Sequence, residues 1–389
     1  MILSKRQELL SVIPGERSSR RGLIRIMENK ITWLDIFVTE RCNLNCKYCF
    51  HSQKPSDMFD GTLSAAIDYL APMFSEDVTF NLFGGEPFLR PEFCIKWLKE
   101  LRLRFPKCKF HISTNGTEYN QELVFLLRDF HSALQVSYDG VDQEYLRGLS
   151  NIVEQNIPRF IQDFSPCVPA IRLTYTRDTV NNLYESFIKC YNMGVRKFTH
   201  QAQLTDDWKD DEFAEYRNQL SKIHSFMNDH DDIYVHFCDC EKIVKQKDSA
   251  RCSAGRTLVA LNTIGEIYPC HRMIKWERFI IGDVFKQKLN RGNFMHLDIH
   301  GCKNCIAVAT CHPCLAANYE YNGAFSEPLR ATCEINKIEH IMSEERYCRV
   351  NKDTMDSIDM IRSMVLVLSD LKKSNEEMLK VIKNEKFTD

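Results

Sequence analysis

The 389-residue chain contains no long apolar run. Its longest aliphatic stretch, Met364–Leu368, falls far short of the roughly 20 residues a membrane-spanning helix needs. Met1–Lys30 is broken by charges and lacks the apolar segment of a secretory signal. Charge of one sign is also missing: 51 Lys and Arg face 53 Asp and Glu, for a net charge of −2. Composition therefore offers no case for nucleic-acid binding. The basic residues near the start (Lys5, Arg6, Arg17, Arg20, Arg21, Arg25) read as a solvated local arm. There is no low-complexity segment and no internal repeat beyond an alternation of strands and helices. These absences point to a cytoplasmic protein that engages neither membrane nor nucleic acid, long enough for one large domain and a smaller one.

Cysteine is abundant, at 17 residues. A secreted disulfide scaffold would be short and stapled throughout, whereas this chain has an ordinary apolar fraction of 44%. In a reducing compartment, clustered cysteines indicate metal ligation. Cys42, Cys46 and Cys49 stand together, and nine more crowd between Cys238 and Cys333 inclusive. Cys94, Cys108, Cys167, Cys190 and Cys348 fit no motif, and Cys190 reads as a small apolar residue within a helix.

Leu34–Thr39, Val78–Phe83, Lys109–Thr114, Leu134–Tyr138, Ile171–Tyr175 and Lys197–His200 read as strands, rich in β-branched and aromatic residues. Between them lie amphipathic segments such as Leu63–Met73, Phe93–Leu103, Gln121–Phe130 and Leu183–Met193. The alternation predicts an α/β fold, a partial (β/α)6 barrel with helices on one face and chemistry at the C-terminal strand ends. Glu212–Asn228 reads as a further helix and Tyr234–Phe237 as a short strand. A loop-rich, cysteine-punctuated segment follows, too poor in apolar periodicity to hold together without metal. Thr354–Lys383 reads as a helical tail whose apolar stripe, from Met355 to Leu371, serves packing. The expected organisation is a basic arm (1–30), the partial barrel (31–235), a cluster domain (236–335) and a helical extension (336–389).

The first strand runs into Cys42-x3-Cys46-x2-Cys49. Three thiolates at this spacing can hold three irons of a four-iron cubane and leave the fourth open. Zinc is the alternative, with His51 as a fourth ligand. Gly84-Gly85-Glu86-Pro87 follows the second strand, Thr114-Asn115-Gly116 the third, and Ser137-Tyr138-Asp139-Gly140 the fourth. Adjacent glycines permit close backbone approach to a ligand. Glu86 could bind an ammonium, and Ser137 with Arg147 a carboxylate, the combination an amino acid chelating the open iron requires.

These motifs, from Ile31 to Gln203, resemble the radical S-adenosylmethionine superfamily. The resemblance implies a [4Fe–4S] cluster on Cys42, Cys46 and Cys49, with S-adenosylmethionine on its open iron. It places Tyr48 like the aromatic that packs on adenine and Gly84, Gly85 and Glu86 at the methionine amino group. Ser137 and Arg147 resemble the pair at the carboxylate and ribose, and Asn115 joins this cofactor-binding set. An external electron donor such as flavodoxin or ferredoxin is implied as well.

Cys252, Gly265, Cys270, then Cys302, Cys305, Cys311, Cys314 and finally Cys333 resemble the SPASM domain, with Cys311–Cys314 one residue shorter than the usual spacing. That resemblance implies two auxiliary [4Fe–4S] clusters. Cys252, Cys270 and Cys314 would hold the nearer, with Cys240 or Cys238 as a further ligand or an open site. Cys302, Cys305, Cys311 and Cys333 would hold the farther. A pair of zinc-ribbon sites is the alternative. SPASM enzymes mostly modify peptides, so a peptide substrate, as in ribosomal peptide maturation, is expected. Sulfatase-maturating members carry an Asp base directly after the second SPASM cysteine, where this chain has His271. An imidazole there could take a proton or serve only as a hydrogen-bonding neighbour. Only Met1–Trp33 precedes the first strand, too little for a leader-binding winged helix. Formylglycine formation, small-molecule dehydrogenation and a non-catalytic iron–sulfur scaffold stand as alternatives.

Overall fold

The structure is a computed structural model that describes residues 30–236 and 252–350, except 296, 298, 300, 303, 304 and 309. The arm before residue 30, Cys238 and Cys240, and the tail stripe beyond residue 350 lie outside the described residues.

Six strands lie in parallel order: β1 (Ile31–Thr39), β2 (Phe74–Gly84), β3 (Lys109–Thr114), β4 (Ala133–Ser137), β5 (Ala170–Tyr175) and β6 (Lys197–Ala202). Between them run helices α1 (Asp60–Leu70), α2 (Pro91–Arg104), α3 (Gln121–Asp129), α4 (Ser150–Phe164) and α5 (Leu183–Asn192). Helix α6 (Asp210–Asn228) follows β6. Local chemistry sets the helix ends: Pro91 opens α2, and the Asn120 side chain caps α3 by accepting from Leu123 N at 2.9 Å. The six strands match those read from the sequence. Helix α4, which sequence analysis does not single out, carries Pro158 in its interior, a residue that reads as a breaker. Buried Val153, Ile157, Phe160 and Phe164 hold it in place regardless.

The sheet has two unlike faces, because successive side chains alternate. Leu34, Ile36, Val38, Phe80, Leu82, Phe110, Ile112, Leu134, Val136, Ile171 and Leu173 join the helices in the main core. On the opposite, concave face stand Asp35, Asn81 and His111 in one register row, Ser137, Arg172 and Thr199 in another, and Gln135. Core packing cannot account for so polar a lining, so that face is where chemistry is to be sought.

After the two-residue strand β7 (Tyr234–Val235) on the β6 edge, the chain returns to the other edge. There β8 (Leu258–Leu261) pairs parallel with β1, and β9 (Glu266–Tyr268), β10 (Gly282–Asp283) and β11 (Lys288–Leu289) extend it antiparallel. The result is one open sheet of eleven strands, with the second cysteine region built onto its leading edge. Gly265, at φ +93°, makes the β8–β9 turn, where a side chain would strike Val284 and Phe285 at 2.9 Å. Helix α7 (Leu315–Asn322) and helix α8 (Arg330–Val350) complete the region, and α8 continues past residue 335. A small second core of Ala254, Met273, Phe294, Leu315 and Ala316 has Cys252, Cys270 and Cys314 packed against it.

Candidate functional site

The loop after β1 is anchored from below. Gly85 N donates to Thr39 O at 2.8 Å and Glu86 N to Arg41 O at 2.9 Å. A Cβ on Gly84 would lie 2.1 Å from Thr39 O, and one on Gly85 2.0 Å from Arg41 O. The paired glycines thus make room for the root of the cysteine loop itself, and the Gly85 and Glu86 amides are taken there. Glu86 is turned under the rim and fully buried. Its carboxylate accepts from Phe88 N (2.9 Å), Thr114 Oγ1 (2.8 Å) and Asn115 N (2.6 Å), tying the end of β2 to the end of β3. Burial pushes its pKa up to about 7 against the pull of those donors.

Cys42 and Cys46 are half-buried and Cys49 is exposed. Asn115 Nδ2 approaches Cys42 Sγ at 3.7 Å, and Arg147 Nη1 approaches Cys46 Sγ at 3.9 Å. Burial raises the Cys42 thiol and pushes Cys46 up to about 11; the neighbouring cysteines add to both shifts. Soft sulfurs crowded beside two cationic or amide donors form a donor set suited to an iron–sulfur cluster. His51 packs on Phe37, ring centroids 5.4 Å apart, with Nε2 3.9 Å from Glu40.

Asp139 is the hub of the neighbouring rim. Its Oδ2 accepts from Tyr48 OH and from Arg147 Nε at 2.7 Å, and its Oδ1 accepts from Thr174 N at 2.8 Å. The guanidinium of Arg147 sits 5.1 Å from the Tyr48 ring centre. Burial works against the Arg147 charge, but Asp139, Tyr48 and Cys46 together outweigh it and hold the pKa above its ordinary value. Ser137 ends β4 on the same concave face. Tyr48, Asn115, Ser137 and Arg147 therefore share the strand-end rim with the three cysteines. Sequence reasoning quoted Asp139 within a motif but gave it no role.

Across the barrel mouth, His271 Nδ1 lies 2.7 Å from Asp35 Oδ2. Asp35 is wholly buried, and its Oδ1 accepts from Asn81 Nδ2 (2.6 Å) and Trp33 Nε1 (2.7 Å). Burial alone would raise the Asp35 pKa, yet His271, Asn81 and Trp33 together bring it below the ordinary value. Asn81 Oδ1 in turn meets His111 Nδ1 at 2.8 Å. The His271 ring lies 5.5 Å from Phe50, the residue after Cys49, and 4.9 Å from Phe83. Sequence analysis missed Asp35, because a lone Asp within an apolar strand carries no motif.

In the second region, Cys252, Cys270 and Cys314 lie close enough for their charges to couple. So do Cys302, Cys305, Cys311 and Cys333, with burial pushing Cys311 up to about 12. Cys314 is the N-cap of α7, its sulfur accepting from Ala317 N at 3.4 Å. Cys333 stands on the first turn of α8. Among the described residues, no three His, Cys, Asp or Glu are grouped as ligands of a single metal ion. Cys94 and Cys190 are fully buried.

Residues 36–162 match the Radical SAM superfamily. The chain carries a radical SAM domain. An uncharacterized Methanocaldococcus jannaschii protein is 25% identical over 252 residues, covering 60% of this chain and 82% of that protein. Fe-coproporphyrin III synthase of Methanosarcina barkeri is 33% identical over 141 residues, 31% of this chain but only 33% of the synthase. Among solved structures, anSMEcpe with bound AdoMet and Cp18Cys peptide is similar at TM-score 0.69 and 16% identity, covering 83% of this chain and 99% of that one. SuiB of Streptococcus suis bound to precursor peptide SuiA is similar at TM-score 0.59 and 15% identity, covering 83% of this chain and 82% of that one. These structures share the fold of the radical SAM domain and of the region after it. No helix among the described residues is long and apolar enough to cross a membrane.

Proposed function

We propose that this chain cleaves S-adenosylmethionine reductively, removes hydrogen from a peptide substrate and completes an oxidation with His271 as proton acceptor. When bound, the cluster on Cys42, Cys46 and Cys49 and its S-adenosylmethionine supply a 5′-deoxyadenosyl radical. Tyr48, Asn115, Ser137 and Arg147 border the cofactor, with Asp139 fixing the Tyr48 hydroxyl and the Arg147 guanidinium. The Gly84–Glu86 segment shapes the floor through its backbone, since the Glu86 carboxylate is occupied below the rim. Residues 31–235 form the radical domain and residues 236–335 the auxiliary domain. Cys252, Cys270 and Cys314 would hold one auxiliary cluster, and Cys302, Cys305, Cys311 and Cys333 the other. A flavodoxin- or ferredoxin-like protein would supply the electron, in a reducing cytoplasm.

The observation that carries this reading is the His271–Asp35 pair at 2.7 Å, set between Phe50 on the radical-cluster loop and Cys270. An imidazole whose Nδ1 is held by a buried carboxylate can take a proton at its other nitrogen, as a proton acceptor must. A substrate radical that only couples to another group has less need of such a base than one losing both an electron and a proton. The pair therefore favours the oxidative, sulfatase-maturase-like alternative over crosslinking of a ribosomal peptide. The higher TM-score with anSMEcpe than with SuiB points the same way.

The test is anaerobic incubation of cluster-loaded enzyme with S-adenosylmethionine, reductant and a Cys- or Ser-containing sulfatase peptide, followed by mass spectrometry. Loss of two hydrogens from the peptide is expected. Asp35→Asn should keep 5′-deoxyadenosine formation while lowering peptide oxidation about 10²-fold, the scale of general-base catalysis. Unchanged oxidation in Asp35→Asn would remove the acceptor role of the pair. Abundant 5′-deoxyadenosine without any peptide oxidation would return the reading to crosslinking or small-molecule substrates.

A further inference from the structure

Arg172 lies on the concave face of β5, in register with Ser137 of β4 and Thr199 of β6. Its neighbours Ile171 and Leu173 point the other way, into the helical core. Thr174, the next inward residue of β5, already meets Arg147 Nη2 at 3.4 Å. Arg172 thus stands level with Ser137 and one side-chain step, on the order of 7 Å, below Thr174 and Arg147. Its guanidinium is half-buried and makes one side-chain contact, Nη2 to Gln201 Oε1 at 3.0 Å.

The charges around it are already balanced. Arg147 is paired with Asp139 and Arg272 with Glu320, while Asp35 is held by His271, Asn81 and Trp33. Among the described residues, no carboxylate lies within ion-pair distance of Arg172. Burial and the Arg147 charge depress its pKa. A guanidinium removed from water without a counter-charge is costly, so its retention inside a barrel calls for an anion delivered from outside. Around it stand neutral hydrogen-bonding groups: Gln201, Thr199, Ser137 and, one step back along β4, Gln135, which donates to Ser113 Oγ at 3.3 Å. One planar fork with amide and hydroxyl neighbours suits a planar monoanion better than a doubly charged phosphate.

We infer that Arg172 is an anion subsite inside the barrel that receives a carboxylate carried by the substrate. The inference rests on the radical SAM reading for the identity of the barrel ligand, and it deepens that reading by naming what the substrate must present. The cofactor's own carboxylate is the rival source. Arg147, which meets Thr174, lies one step above Arg172, which is why the substrate is the source assigned.

The test uses cluster-loaded, oxygen-free protein with sodium acetate as the probe, exchanged for sodium chloride at constant ionic strength. Acetate should raise the melting temperature of the unaltered protein by about 2 °C, and Arg172→Leu should abolish that gain. In chloride the variant should melt no lower than the parent, because it loses an unpaired half-buried charge. The gain should persist with saturating S-adenosylhomocysteine, and calorimetry should show the same affinity for that compound in both proteins. Several outcomes overturn the inference: no acetate gain in the unaltered protein, an acetate gain that survives in Arg172→Leu, or a larger gain with phosphate. A gain that vanishes once S-adenosylhomocysteine is bound, or a variant that binds it more weakly, would assign Arg172 to the cofactor instead. Failure of the parent protein to bind S-adenosylhomocysteine at all would count against the radical SAM reading, and the acetate result would be read separately.

Discussion

At the scale of single residues, the concave face is built from side chains whose ionisation the fold controls. His111 is the clearest case. Its Nδ1 donates to Asn81 Oδ1, it faces Trp33 at 5.5 Å, and it is pushed by burial down to about 4, with Asp35 opposing and Arg172 adding to the shift. Its ordinary pKa is 6.5, so above that value both folded and unfolded chains hold it neutral. As pH falls through 6.5, the unfolded chain takes up a proton that the folded chain refuses until about 4, and stability is lost across that window. At pH 5 the loss is on the order of 2 kcal/mol. His111→Gln, which keeps a hydrogen-bonding group, should melt nearer to or above the parent at pH 5 while matching or trailing it at pH 7. Parallel pH profiles for the two proteins would show that His111 is not held neutral. Asp35, Asp139 and Arg172 belong to the same lining, and none stands in a motif that announces its partner.

At the scale of elements, the loop carrying the first three cysteines is an extension of β1, and β2 is what holds it. Hydrogen bonds from Gly85 and Glu86 reach Thr39 and Arg41, and the absent side chains of both glycines leave the loop's backbone room. Gly85→Ala should therefore displace Arg41 and Cys42 without touching α7 or α8. Iron content should fall by about four per chain, the complement of one cubane, with auxiliary iron retained. Gly61→Ala serves as the control, since a Cβ there meets nothing within 4 Å. Full iron loading and S-adenosylmethionine cleavage in Gly85→Ala would refute the anchoring argument. The same economy recurs in the second region, where Cys314 caps one helix and Cys333 opens the next, so cluster ligands and helix termini are placed together.

At the scale of the whole molecule, the two cysteine regions share one eleven-stranded sheet, and α8 packs into the main core through Ala331, Ile335 and Met342. β8 pairs with β1, yet Cys252, Cys270 and Cys314 pack on their own small core. Anaerobically prepared protein should hold about twelve irons, from three four-iron clusters. Replacing Cys42, Cys46 and Cys49 together by Ala should leave about eight irons and abolish 5′-deoxyadenosine formation. Stoichiometric zinc with no more than four irons in the parent would remove the auxiliary assignment. Reductive cleavage of S-adenosylmethionine by the triple variant would show that the chemistry lies elsewhere.

The sequence by itself determined the six parallel strands, because each is a short run rich in β-branched or aromatic residues, which is a local signal. It also determined the cysteine groups, since ligand spacing along a loop is a property of the chain alone. Cys252, Cys270 and Cys314 mark the limit of that: 62 positions separate the first from the last, and it is the resemblance to the SPASM pattern that implies their grouping. Only the tertiary structure decided what the polar strand residues do. Asp35 and His271 are 236 positions apart and meet because β8 adds to the leading edge of the sheet beside β1. Glu86 looks from its motif like a ligand on the rim, but its side chain turns beneath to bridge β2 and β3. Arg172 is one residue in an apolar run until the sheet curves and alternation turns it inward beside Gln201. Strand propensity and ligand spacing act between neighbours in the chain, whereas charge balance in a barrel depends on which strands the fold brings together.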